Sequence, residues 1–381
     1  MPKSHCLLPA MLLCAAGSAL AAAPRYSVTV LDSRPNASAV SAINNAGVAL
    51  GSLREPDREG RSAFTWSAGG RTMLPAPMRT PTGISEMGHV VGSTEIALID
   101  DGRITINAGL LYFQGAATTL PAPFSPQYDV SGWFSYVSPA GVNSAGTVVA
   151  NQQTNGASGA YMDSHGTTTI LPLNHVSAIN EAGQVAGTGR IDGGPRHAML
   201  YANGQAVDLG ALPSDLEGNS AATDVNDAGT VVGLSDHGFG NQALSFHSFI
   251  YQDGVLRALG SLGMSNAAKA INNHGDVVGE NWADGSEQGK HAYLYQDGVQ
   301  YDLDTLLSGG GNWRITEVED INDSGQIVGR ACRDGIGCYA ALLSPVPEPA
   351  SCGMLLAGLG LLGWRARRQG RNALPAQAAP A

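Results

Sequence analysis

Short apolar segments of four to six residues, rich in Val, Ile, Tyr and Phe, follow one another along most of the chain, each bounded by Gly, Asn, Asp or Ser. This pattern predicts β-strands joined by tight turns. Between residues 24 and 345 no apolar stretch sustains a helical period for ten residues, so no long helix is expected there. One phrase recurs seven times with drift: Ala-Ile-Asn-x-x-Gly-x-Val-Val-Gly. The fullest copies are Ala178–Gly187 and Ala270–Gly279; others centre on Gly47, Gly88, Gly146, Gly229 and Gly325, and the second, Gly83–Gly92, is the weakest. The mean period is about 46 residues, in the range of stacked repeat architectures.

Each period carries two further landmarks. One is an aromatic-rich segment, as in Phe64-Thr65-Trp66, His197-Ala198-Met199-Leu200-Tyr201, His247-Ser248-Phe249 and His291-Ala292-Tyr293. The other follows a Gly turn, as in Val207-Asp208-Leu209 or Tyr301-Asp302-Leu303. The Asn-x-x-Gly element suits a type I turn followed by Gly in the left-handed region, a bulged hairpin. Asn can bond to nearby amides, and Gly has no Cβ to clash at positive φ. One unit is therefore four antiparallel strands, the blade of an all-β propeller. Tyr26–Asp32 reads as a lone strand, and the seventh unit lacks its last strand because the chain leaves at Ser344-Pro345-Val346-Pro347. The expected fold is a propeller of seven four-stranded blades over residues 24–345, closed by the N-terminal strand, with an insertion near Phe124–Phe134.

The repeat resembles the extracellular HAF-type repeat family, with His197-Ala198-Met199 and His291-Ala292-Tyr293 nearest to its His-Ala-Phe run. The resemblance spans roughly residues 40–343 and implies an exported bacterial surface protein without assigned catalytic residues.

Both ends read as addresses. Residues 1–21 form a signal peptide, with Lys3, the apolar run Leu7–Ala16 and cleavage after Ala21. Cys14 raises a lipoprotein alternative that the bulky Leu13 disfavours. Residues 346–371 resemble the PEP-CTERM sorting signal: Pro347-Glu348-Pro349, an apolar run from about Met354 to Trp364, then the cluster Arg365, Arg367 and Arg368. The resemblance implies processing by exosortase, with Pro347, Glu348 and Pro349 as the recognised element. The apolar run falls well short of the roughly 20 residues that span a bilayer, and the arginines would stay cytoplasmic. That suits transient anchoring at the inner membrane, although a plain weak anchor remains an alternative. Residues 372–381 are expected to be a disordered tail.

The net charge is −11, and the leader and tail hold Lys3, Arg365, Arg367, Arg368 and Arg371, so the strand-rich body is more acidic still. An acidic body argues against nucleic-acid binding by phosphate neutralisation. Cys6 and Cys14 leave with the leader and Cys352 lies in the tail. Cys332 and Cys338 flank the loop between the second and third strands of the last unit. Outside the cytoplasm they are a disulfide candidate, with two free thiols as the alternative.

No nucleophile elbow, phosphate loop or zinc-protease motif is present, and neither cofactor nor metal is expected. His197, His247 and His291 recur at one repeat position, which favours a structural hydrogen bond over a shared metal. Asp224-Val225-Asn226-Asp227 and Asp320-Ile321-Asn322-Asp323 are oxygen-rich, but a calcium loop alternates its ligands, and turn chemistry fits them better. Asp192, Asp215, Asp236 and Asp284 sit in expected loops. Trp66, Trp133, Trp282 and Trp313 suit sugar stacking or packing between blades. The expectation is a non-catalytic surface or extracellular-matrix protein that meets exosortase during export and exopolysaccharide or other surface polymers afterwards. A secreted polysaccharide-acting enzyme and a calcium-stabilised adhesion module are the alternatives.

Overall fold

In the computed structural model, which describes residues 23–54, 60–75, 77–99, 104–125, 133–190, 193–213, 218–237, 245–282, 289–347 and 365, the recurrent phrase is a hairpin. In its fourth copy the Gly183 N–H donates to Asn180 O at 3.0 Å, and Gly183 has φ +77°. Asn180 Oδ1 accepts the Gln184 N–H at 2.8 Å. The Asn side chain thus holds its own turn, and Gly occupies a conformation that a Cβ would strain.

Strand β1 (Tyr26–Val30) precedes the first hairpin. The first group is β2 (Ser38–Ile43), β3 (Ala49–Arg54), β4 (Arg61–Ser67) and β5 (Gly70–Met73). The second is β6 (Thr80–Ile84), β7 (Val90–Ile99), β8 (Ile104–Phe113) and β9 (Ala116–Thr119), and the third is β10 (Trp133–Val142), β11 (Val148–Thr154), β12 (Ser158–Ser164) and β13 (Thr167–Leu171). The fourth is β14 (His175–Ile179), β15 (Val185–Gly189), β16 (His197–Ala202) and β17 (Gln205–Asp208). The fifth is β18 (Ser220–Val225), β19 (Val231–His237), β20 (Ser245–Gln252) and β21 (Val255–Ala258). The sixth is β22 (Ser265–Ile271), β23 (Val277–Trp282), β24 (Lys290–Gln296) and β25 (Val299–Asp302), followed by the one-turn helix α1 (Leu303–Leu306). The last hairpin gives β26 (Trp313–Ile321), β27 (Ile327–Arg333) and β28 (Gly337–Pro345). Its fourth strand is β1, paired antiparallel to β28 from Tyr26↔Pro345 to Val30↔Ala341.

Five sheets of four strands and one of eight result among the described residues. The eight-stranded sheet departs from the expectation of separate units. Strands β7, β8 and β10 each run to ten residues. The overhanging start of β8 therefore leaves a free edge, and Trp133–Tyr136 of β10 pairs with Ile104–Asn107 in parallel.

Among the described residues the apolar core is divided among seven clusters, each lying between neighbouring groups, and the Val-Val pair of the phrase accounts for this. Successive side chains of a strand point to opposite faces. Val277 therefore packs toward the fifth group and Val278 toward the seventh. Val185 and Ala186 do the same around the fourth group, and Ala49 and Leu50 around the first. One cluster joins Leu31, Val40, Ile43 and Ala49 to Val328, Ala340 and Leu342, from the start and the end of the strand-rich body. The closing Gly of the phrase has a separate cause. A bulge in the first strand brings its backbone close, so a Cβ at Gly279 would press on the Ala267 carbonyl oxygen and stand 2.6 Å from the Tyr293 ring. Cys332 and Cys338 face each other across the β27–β28 pair and are joined as a disulfide.

Candidate functional site

The first strands of the groups contact one another in chain order, and β26 contacts β2. Their two ends are built differently. At the turn end the Asn side chains reach from group to group: Asn180 Nδ2 donates to Asn226 O at 2.8 Å, Asn226 to Asn272 O at 3.1 Å, Asn272 to Asn322 O at 3.2 Å, and Asn322 to Asn44 O at 3.0 Å. Asn44 Nδ2 then donates to Ser85 O at 3.1 Å. In most of the turns the next residue repeats the link through the backbone, as when the Asn45 N–H meets Glu86. The Ser144 N–H meets Glu181, Glu181 N–H meets Asp227, Asp227 N–H meets Asn273, Asn273 N–H meets Asp323, and Asp323 N–H meets Asn45. Asp227 and Asp323 are thus turn residues, as their sequence suggests, but their partners lie in the neighbouring groups on both sides. These turns surround a narrow space of about 160 Å³. Burial raises the Glu86 carboxyl, and the charges of Glu181, Asp323 and Asp227 add to the rise.

Beside these turns Asp320 Oδ2 accepts the Ile43 N–H at 2.8 Å, and Asp224 Oδ2 accepts the Ile271 N–H at 2.9 Å, each again in the following group. Both residues are half-buried, and Asp320 borders the narrow space, but their carboxyls are enclosed by protein. Burial pushes Asp320 up to about 8, with the Asp224 charge adding to it, against two backbone donors. Burial likewise pushes Asp224 up to about 6. The folded state therefore holds protons that the unfolded chain releases near its ordinary carboxylate value of about 3.9. Unfolding free energy should then fall as pH rises from about 4 toward 8. Denaturant melts across that range should show the fall, and Asp320→Asn should flatten it. An unchanged slope in Asp320→Asn would contradict the assignment.

The leading ends of β10, β14 and β18 open instead into a polar cleft of about 530 Å³. Its walls are pinned within and between groups. Asn151 clamps Val176 through both amide atoms at 2.8 Å. Asn219 accepts the Arg196 N–H at 3.0 Å and donates to Asp236 at 2.8 Å. Gln152 donates to Phe124 O and Ser135 Oγ. Facing the space are the half-buried Tyr136, the exposed His175 and the exposed Arg196. The Arg196 guanidinium makes no hydrogen bond to the described residues. Partial burial, then the Arg196 charge, lowers His175, so it is neutral at pH 7. The cleft therefore offers amides, hydroxyls, an aromatic ring, one cation and the Asp236 carboxylate held by Asn219, a set able to hydrogen-bond polar ligands.

The structure distributes the sequence candidates widely. Asp236 belongs to β19 rather than to a loop, because the second and third strands of this group run seven and eight residues; it lines the cleft. Asp192, Asp215 and Asp284 lie outside the described residues. Trp66 packs between the last and first groups. Lys290 Nζ lies 5.7 Å from the Trp282 ring, and the Arg333 guanidinium lies 3.9 Å from that of Trp313. The side chain of Trp133 lies outside the described residues. His197 Nδ1 meets Asp208 at 2.8 Å, whereas His291 Nδ1 is buried without a hydrogen-bond partner. Residues 1–21, Glu348, Pro349, Arg367, Arg368 and the tail 372–381 are also outside. Pro347 is exposed just beyond Val346, whose N–H donates to Arg25 O at 2.7 Å. Arg365 is exposed. The cleft itself left no trace in the sequence, since its lining comes from segments of three groups.

A model of the PEP-CTERM protein-sorting motif matches residues 345–369. The motif marks an exported protein that exosortase processes. A second model, described as "Protein of unknown function (DUF3466)", matches residues 205–337. No curated protein sequence matches the chain. Among solved structures the chain is similar to Pyrococcus horikoshii acylaminoacyl peptidase, with TM-score 0.52 and 13% identity over 84% of this chain and 54% of that one. It is also similar to a Mycobacterium tuberculosis puromycin-hydrolyzing peptidase, with TM-score 0.50 and 13% identity over 86% and 57%. The β-propeller domain of the Trilobed protease from Pyrococcus furiosus has TM-score 0.49 and 11% identity over 82% and 100%. The chain spans about half the length of the first two proteins, and at such identity the likeness is one of fold: all-β, with propeller-like neighbours. Among the described residues no helix is long and apolar enough to cross a membrane.

Proposed function

We propose that the mature chain is a seven-bladed, HAF-type propeller closed by β1, delivered by exosortase to the cell surface or extracellular matrix, and that it binds an acidic exopolysaccharide without turning it over. The cleft between β10, β14 and β18 is the observation that carries the binding reading. Arg196 offers a charged donor for a sugar carboxylate, and Tyr136 a ring for stacking on a sugar face. An acidic protein repels such a polymer elsewhere, so one cation in a pinned cleft gives it a defined place to dock. The exit of the tail supports the delivery reading: the last backbone bond of the fold, Val346 to Arg25, stands next to Pro347. Cutting within Pro347-Glu348-Pro349 would leave the β1–β28 pairing intact.

Titration of the mature chain with acidic exopolysaccharide fragments should give saturable binding, weakened about tenfold by Arg196→Ala and by Tyr136→Ala, since each removes about 1.4 kcal/mol. Arg257→Ala, outside the cleft, should leave it unchanged. Binding indifferent to both cleft variants would defeat the proposal. Release of new reducing ends that stops in Asp236→Asn would replace it with the enzymatic reading.

A further inference from the structure

His291 on β24, Asp302 at the end of β25 and Asp304 in α1 bring three donor atoms within 4.8 Å of one another. One oxygen of each carboxylate is already held. Asp302 Oδ1 accepts the Asp304 N–H at 2.9 Å, and Asp304 Oδ1 accepts the Ile315 N–H at 2.7 Å. The other oxygen of each turns toward His291 Nδ1, at 3.9 Å for Asp302 Oδ2 and 3.6 Å for Asp304 Oδ2. Both separations are too long for hydrogen bonds. Nδ1 is nevertheless shut away from water with no hydrogen-bond partner, a costly arrangement that asks for an explanation.

The fourth group provides an internal control. His197 occupies the same strand position, and its Nδ1 takes Asp208 at 2.8 and 2.9 Å. Where the sixth group has Asp304, the fourth has Gly210, whose N–H donates to Asp208 just as Asp304 N–H donates to Asp302. With one carboxylate the pair closes on itself. With two, the three donors stand apart around a common point.

The geometry points to a divalent transition-metal site of the Zn²⁺ class, held by His291 Nδ1, Asp302 Oδ2 and Asp304 Oδ2. Ligands 2.0–2.2 Å from a tetrahedral ion stand about 3.3–3.6 Å from each other; the His291–Asp304 spacing of 3.6 Å matches this and the His291–Asp302 spacing of 3.9 Å needs only a small closure. One imidazole with two carboxylates suits Zn²⁺ better than Ca²⁺ or Mg²⁺, which favour all-oxygen sets. The backbone bonds to the remaining oxygens fix the ligand orientations from behind. Water would complete the fourth position. Because Asp304 is tied to β26 through Ile315, the ion would pin the joint where the chain passes from the sixth group to the seventh.

The test is titration of the tag-free full chain with Zn²⁺, and with Co²⁺ as an optical probe. The wild type should bind one Zn²⁺, rise in Tm on loading, and develop a visible Co²⁺ band that Zn²⁺ displaces. Asp304→Asn keeps the Ile315 bond but loses the anionic ligand, and it should weaken Zn²⁺ more than about tenfold. His291→Gln should do the same, while His197→Gln should not. Absence of the Co²⁺ band in the wild type, or full affinity in Asp304→Asn, would overturn the site. If His291→Gln fails to fold, those two readings still decide.

Discussion

Tyr26→Ala should destabilise the protein by about 4 kcal/mol, the scale for truncating a fully buried aromatic side chain, and lower Tm by about 8 °C for a chain of this size. Tyr26 is 2% exposed and packs with Leu303, Ile315, Ile327 and Leu343 in the cluster between the sixth and seventh groups. Its carbonyl accepts both the N–H and the Oγ–H of Ser308 at 2.8 Å. It also anchors β1, without which β28 would present an unpaired edge. Tyr26→Phe keeps the ring and should cost far less. Thermal melts followed by circular dichroism would check this. A loss below about 1 kcal/mol, the scale of an ordinary surface change, would mean that β1 is not built into the last group.

Asn322→Ala should cost about 3 kcal/mol. Asn322 is 3% exposed. Its Nδ2 serves Asn44 O at 3.0 Å and Gln326 Oε1 at 2.9 Å, and its Oδ1 accepts the Gln326 N–H at 2.9 Å. Alanine leaves these enclosed groups short of partners, at about 1–3 kcal/mol for each one left unsatisfied. Asn322→Asp separates the two roles. It keeps the acceptor, loses the donor to the first group, and places a carboxyl beside Asp320 and Asp323. That variant should be weaker than Asn322→Ala at pH 8 and recover as pH falls, because protonation removes the added charge. Denaturant melts at pH 5 and pH 8 measure both. Equal stability of wild type and Asn322→Ala would show that the Asn ladder carries no load.

Much of this fold could be read along the chain because its causes are local. Asn180 and Gly183 define a turn from within, and Val277-Val278 face two neighbours because a strand alternates. The pairing of Cys332 with Cys338 needs only a hairpin between them. What stayed hidden depends on contacts between groups. Asn226 reaches Asn272 and Asp224 reaches Ile271 across a whole period, so the phrase reveals the turn and not its partner. The parallel seam between β8 and β10 depends on strand length beyond the core. The cleft draws Tyr136, His175 and Arg196 from separate groups, and nothing in their local sequence marks them. His291 looks like His197 in sequence, and only the carboxylate two residues beyond Asp302 sets it apart.

Ser27 and Ser344 are partners across β1 and β28, with Ser27 Oγ 3.3 Å from Ser344 O. The most direct measurement is therefore oxidation of a mature chain carrying Ser27→Cys and Ser344→Cys, followed by mass spectrometry of the digested monomer. Closure by the N-terminal strand should give one intramolecular link between residues 27 and 344 in nearly every molecule. Free thiols in a folded monomer, or links formed between chains alone, would contradict it.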